Sequence, residues 1–131
     1  MVMKACKVTI TTVADGLENT ITRKGEMDVS SIGGILCYQE ENAKINVRLQ
    51  GNTATIERFG DYTLLLSLEQ SVFCDGEIGI GGSGGAVKTY AHKIAYAVTK
   101  DSLLLSLHYD LIISGEVQKI RLRLLARYEE D

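Results

Sequence analysis

The run SLLLSLHYDLIISGEVQKIRLRLLARY, from Ser102 to Tyr128, constrains the fold more than any other part of the chain. Leu103, Leu105, Leu107, Tyr109 and Leu111 alternate with smaller or polar residues. After Ser114-Gly115, Ile120, Leu122, Leu124 and Ala126 alternate with Lys119, Arg121, Arg123 and Arg127. A period of two places every second side chain on one face of a strand, so the run is predicted to be two antiparallel strands joined by a tight turn. With Ile113 facing Glu116, Tyr109 meets Ile120, Leu107 meets Leu122 and Leu105 meets Leu124 on one face, while Asp110 meets Lys119 and His108 meets Arg121 on the other. A slip of one residue would turn the whole apolar row to water, so the register is strongly specified.

The rest of the chain repeats this grammar. Lys4 to Ala14 alternates Cys6, Val8 and Ile10 with Lys7, Thr9 and Thr11, and Asp15-Gly16 turns it back into Leu17 to Met27. The return strand places Ile21 opposite Ile10 and Thr20 opposite Thr11. It also puts Asn19 and Arg23 on the inward row, which requires a wet interior or a twist that releases the strand end to solvent. Val29 to Gly34 reads as a turn and Ile35 to Glu41 as a short strand. Lys44 to Gln50 folds at Gly51-Asn52 onto Thr53 to Phe59, setting Leu49 against Ala54, Val47 against Ile56 and Ile45 against Arg58. Tyr62 to Leu68 follows, and a bulged loop that sets Ile56 against Leu66 keeps its leucines facing apolar partners.

Glu69 to Gly85 is the least regular segment, expected to hold a short strand around Val72 or Ile78 and a flexible glycine loop. Between Ala86 and Thr99, Val87, Thr89 and Ala91 fall out of phase with Ile94, Tyr96 and Val98, which predicts a bulge near His92-Lys93. No window carries sustained helical periodicity with caps.

One domain spanning residues 1–131 is expected, because 45 % hydrophobic content over 131 residues supports one sizeable core. About eight to ten antiparallel strands with short connections predict an all-β, single up-and-down β-barrel. A β-sandwich is the rival, although sandwiches use longer Greek-key connections. The formal net charge of −3 argues against nucleic acid as the main partner. Cys6, Cys37 and Cys74 lie far apart with no metal or disulfide spacing, so reduced, mostly packed thiols are expected. The opening MVMKACKVTITTV enters alternation at once, so no signal peptide is expected, and no run is long and apolar enough to span a bilayer. The expected compartment is the cytoplasm, with no membrane partner.

The stretch TRKGEMDVSSIGGILCYQEE, with Gly25, Leu36, Tyr38 and Glu40, resembles the YwiB-like family of small bacterial proteins. So do Ile56-Glu57-Arg58-Phe59-Gly60, the glycine-rich segment before Val87-Lys88-Thr89, and the Leu105, Leu107, Tyr109, Leu111 series. The likeness runs from about Ile21 to Tyr128. It implies a calycin-like, lipocalin-like barrel of unknown function, in a group whose members hold apolar or amphipathic small molecules. It brings no catalytic residues to carry over.

Several residues could carry chemistry. Arg58, on the row shared with Ala54 and Ile56, would bring a guanidinium into a partly desolvated interior, where it must be paired. It would bind the carboxylate or phosphate of an amphipathic ligand, or close one end of the barrel by pairing with Glu40 or stacking on a tyrosine. Tyr38, Tyr96, Tyr109 and Tyr128 place hydroxyls on inward rows, as ligand contacts or as core residues with the hydroxyl at a rim. The glycines Gly82, Gly84 and Gly85 suit a mobile gating loop at the mouth. GSGGAVKT fails as a P-loop, since Val87 stands where the second glycine belongs and a strand follows. His92 and His108 have no metal-ligand spacing, so neither a metal site nor a cofactor is expected.

Two expectations lead, ahead of a third in which Arg58, Glu40 and a tyrosine in the cavity serve a hydrolase or isomerase. The first is a non-enzymatic barrel that binds a small apolar or amphipathic ligand inside. The second is an interaction or structural barrel with a filled core, whose Lys119, Arg121, Arg123 and Arg127 face docks an acidic protein; a homodimer is also compatible with the chain.

Overall fold

The computed structural model describes Val2–Glu129. Among these residues ten strands follow one another without a helix: β1 (Lys4–Ala14), β2 (Leu17–Ser30), β3 (Gly33–Glu40), β4 (Ala43–Gln50), β5 (Thr53–Gly60), β6 (Tyr62–Glu69), β7 (Phe73–Ile80), β8 (Ser83–Val98), β9 (Ser102–Ile113) and β10 (Glu116–Tyr128). Each pairs antiparallel with its sequence neighbours, and β1 pairs with β10, closing the barrel. No helix among the described residues is long and apolar enough to cross a membrane.

The expected registers are present. Tyr109 faces Ile120 and Leu105 faces Leu124, Ile10 faces Ile21, Ile45 faces Arg58, and Ile56 faces Leu66. Two boundaries differ from the sequence expectation. Residues 29 to 34 are mostly strand, because β2 runs on to Ser30 and β3 starts at Gly33, leaving Ser31-Ile32 as the turn. The glycine-rich segment is also mostly strand. β7 is a full eight-residue strand, and Gly84 and Gly85 stand in β8 opposite Gly79 and Ile78. Only Gly82, with Gly81, belongs to a turn, so the expected gating loop reduces to two residues. Cross-strand hydrogen bonding outweighs the entropy cost of ordering those glycines, since unpaired backbone groups there would gain nothing in exchange.

The two longest strands shape the barrel. β2 pairs with β1 from Leu17 to Met27 but with β3 only from Gly25 to Ser30. β8 pairs with β7 from Ser83 to Tyr90 and with β9 from Lys88 to Val98. Each therefore passes from one half of the wall to the other, and each carries a device at the crossing. In β2 it is Gly25, where an added Cβ would strike the Cys37 carbonyl oxygen. In β8 it is the predicted bulge, a register shift between Ala91 and Lys93 that returns Ile94 to the inner face.

Inside, Val8, Leu36, Leu66, Leu103, Leu107 and Leu124 are almost wholly buried, with Met27 and Cys6 beside them. Thr89 is the one buried polar residue among those described, and its Oγ1 donates to the Ser67 carbonyl at 2.6 Å. That bond joins β8 to the lower half of β6, where β7 contributes no ladder to β6 below Leu65. Thr89→Val should leave the Ser67 carbonyl without its partner and lower unfolding free energy by about 1–3 kcal/mol in urea denaturation, while Thr89→Ser should retain most of the stability.

Candidate functional site

The interior of the barrel is occupied by side chains. Leucines from β3, β6, β9 and β10 meet across it with Val8, Val47 and Ile56. Depressions that open to solvent lie elsewhere: one of about 770 Å³ runs over Lys4, Asp28, Val29 and Thr99, one of about 590 Å³ over Lys24, Glu26, Cys37 and Lys44, and one of about 530 Å³ over Phe59, Leu65 and Ala86.

Arg58 does lie on the inward row, and its side chain is only 13 % exposed. Its partners are local. Nη2 meets Asp61 Oδ1 at 2.8 Å, Nη1 donates to the Tyr62 carbonyl at 2.8 Å, and the guanidinium lies 3.7 Å from the Tyr62 ring centre. Stacking on a tyrosine is thus observed, while the charge partner is Asp61 on the β5–β6 turn rather than Glu40. Asp61 is exposed, and its carboxyl is held below the usual range chiefly by the Arg58 hydrogen bond, which outweighs the opposing desolvation. A sequence cannot rank two carboxylates at such different separations from Arg58, although Asp61 at i+3 across a turn is the nearer one.

Tyr38 and Tyr109 are buried, whereas Tyr96 and Tyr128 are half-buried against the core. Burial raises the Tyr38 phenol most, Glu40 and Tyr109 raise it further, and Arg23 opposes them. Arg23, Tyr38, Glu40 and Tyr109 therefore cluster near the end of the barrel where β2 leaves β3. Asn19 is exposed there and Arg23 half-buried, so the polar inward row ends in solvent.

The outer wall is more distinctive. Closing β1 onto β10 sets Arg127 beside Lys7, and Lys7 beside Lys24 of β2. Two strands away, Arg121 lies beside His108, and His108 beside Lys93 of β8. With Lys119 and Arg123, seven of the chain's 14 lysines and arginines share one face of β8–β9–β10–β1–β2. None of the seven forms an ion pair with a described residue. Asp110, the carboxylate opposite Lys119, is taken by His92 Nε2 at 3.0 Å. His108 registers the resulting field: its pKa is lowered by burial first, then by Arg121, Lys93 and Arg123.

The cations form two groups, Lys93–Arg121–Arg123 and Arg127–Lys7–Lys24. Between them lie Leu104, Leu125 and Ala97, with Leu104 50 % exposed. The sequence showed the β10 stripe but not Lys7, Lys24 and Lys93, because their convergence depends on which strand closes the barrel. Among the described residues no group of histidines, cysteines and carboxylates is placed to hold a metal.

Burial also pushes Tyr109 up to about 12. A raised folded-state pKa contributes stability below the ordinary tyrosine value, and that contribution is lost as pH climbs through the folded value. Of the six tyrosines, Tyr38 and Tyr109 should therefore stay protonated near pH ~11 in an ultraviolet titration and ionise only as the barrel unfolds. Full ionisation of all six with the fold intact would contradict their burial.

No protein-family model matches the sequence, and no curated protein matches it. Among solved structures, the YwiB protein from Bacillus subtilis superposes with a TM-score of 0.83, covering 98 % of this chain and 94 % of that one. The two are 15 % identical, so the match concerns the fold. It agrees with the family likeness read from Gly25, Leu36 and Tyr38 onward.

Proposed function

We propose that this protein is an interaction barrel that acts by docking an acidic protein segment on its β8–β9–β10–β1–β2 face. The observation that carries this reading is seven cations on one side of the barrel, none ion-paired with a described residue, in a chain whose formal net charge is −3. Leaving like charges adjacent costs folding energy through self-repulsion, and an anionic partner would offset that cost.

The arrangement suggests the partner's chemistry. Residues two apart along β10 lie about 7 Å apart, and neighbouring strands about 5 Å, so both cation groups fit side chains of an extended peptide. The aliphatic centre at Leu104 and Leu125 suits an apolar residue flanked by carboxylates and is a poor match for a continuous phosphate backbone. A filled interior favours this reading over a ligand held inside, since small-molecule sites are concave spaces of about 300 Å³ or more.

The test is fluorescence anisotropy with a labelled peptide carrying a leucine between two aspartate clusters, at low and physiological salt. Binding should weaken with salt. Arg121→Glu combined with Arg127→Glu should weaken it about tenfold or more without loss of fold. Equal binding by the double variant would sink the docking face. Tighter binding of a DNA duplex than of the peptide would replace the acidic protein with nucleic acid, and a small-molecule adduct in native mass spectrometry would bring back the interior-ligand reading.

A further inference from the structure

β2 leaves one of its edges open. From Leu17 to Lys24 it has β1 on one side and, among the described residues, no strand on the other, because the ladder with β3 begins only at Gly25. Within this stretch Leu17 is 79 % exposed, and Glu18, Asn19, Thr20, Thr22 and Lys24 are also exposed. An unpaired edge of this length is a template for another strand.

The geometry points to a second copy of this chain as that strand, added antiparallel about a two-fold axis at Ile21. The sequence Glu18-Asn19-Thr20-Ile21-Thr22-Arg23-Lys24 is complementary to its own reverse. Ile21 then faces Ile21, Thr20 faces Thr22, Asn19 faces Arg23, and Glu18 faces Lys24, each of the last three pairs occurring twice. Opposed side chains must share a face of the sheet, so the register can change only by two residues. Centring on Thr20 would put Glu18 against Thr22, and centring on Thr22 would put Thr20 against Lys24; both lose the charge pairs. Charge complementarity thus selects one symmetric register. Arg23, whose Nη1 now donates to the Thr22 carbonyl at 3.0 Å, would turn to Asn19 of the second copy.

The pairing makes the two β8–β9–β10–β1–β2 walls one continuous sheet, with both cationic groups on the same side. It engages Lys24 and does not depend on what the other six cations bind. Seven paired residues form a small contact, so the association is reversible and concentration-dependent.

The experiment is sedimentation equilibrium at low salt from about 10 µM to about 1 mM. The 14.3 kDa chain should pass from monomer to dimer over this range. Glu18→Lys and Lys24→Glu should each self-associate at least about tenfold more weakly, since each places like charges opposite one another. Mixing the two variants should restore the dimer, because one Glu18–Lys24 contact is then retained and the other becomes a Lys–Glu contact of opposite sense. Recovery in the mixture also shows that both variants are folded. A wild-type chain that stays monomeric throughout, a dimer unaffected by either substitution, or a mixture that fails to recover would each overturn the proposal.

Discussion

Everything in this barrel depends on parity. A strand shows alternate residues to opposite faces, and a closed ladder leaves no element that can choose its face independently. Once Leu103, Leu105 and Leu107 are committed inward, the pairing of β9 with β10 commits Leu122 and Leu124, and the pairing of β10 with β1 commits Val8 and Ile10. The same commitments send Arg121, Arg123, Arg127 and Lys7 outward. The apolar core and the cationic wall are therefore two sides of one arrangement, and neither could be moved without the other.

Parity also accounts for what the sequence disclosed and what it withheld. Hairpin partners are close in the chain, so the registers at Ser114-Gly115, Asp15-Gly16 and Gly51-Asn52 were all readable from alternation and turn residues. The bulge near His92 was readable too, because Thr89 and Ala91 fall out of phase with Ile94 and Tyr96. Gly84 and Gly85 were not readable as strand, since glycine has no side chain to display a phase and its strand character comes only from β7 alongside. The partner of Arg58 was decided by local turn geometry, which favours Asp61 over Glu40. The cationic wall was half visible: β10 shows its stripe in one dimension, whereas Lys7, Lys24 and Lys93 join it only when the barrel closes.

The two long strands explain how a ten-stranded wall can fill its own interior. A cylinder of ten strands would be wide in its middle, and side chains from opposite walls would meet with difficulty. By passing β2 and β8 from one half of the wall to the other, the chain brings the halves together around one shared apolar core. Gly25 permits the close approach of β3 at one crossing, and Thr89 ties β8 to β6 beside the other. The cost of this geometry appears at the ends of the crossing strands, where part of β2 is left with a neighbour on one side only.

The bulge between Ala91 and Lys93 has a bearing on how such a chain can change over generations. A strand behaves like a text with a reading frame of two: adding or removing one residue inverts everything downstream, inside for outside, until a second change restores the sense. His92 is such a compensating letter, set where the frame of β8 has to be reset before Ile94. Substitutions that keep the frame are cheap and single-residue length changes within strands are not, which accords with a shape shared over 98 % of this chain with a protein only 15 % identical to it.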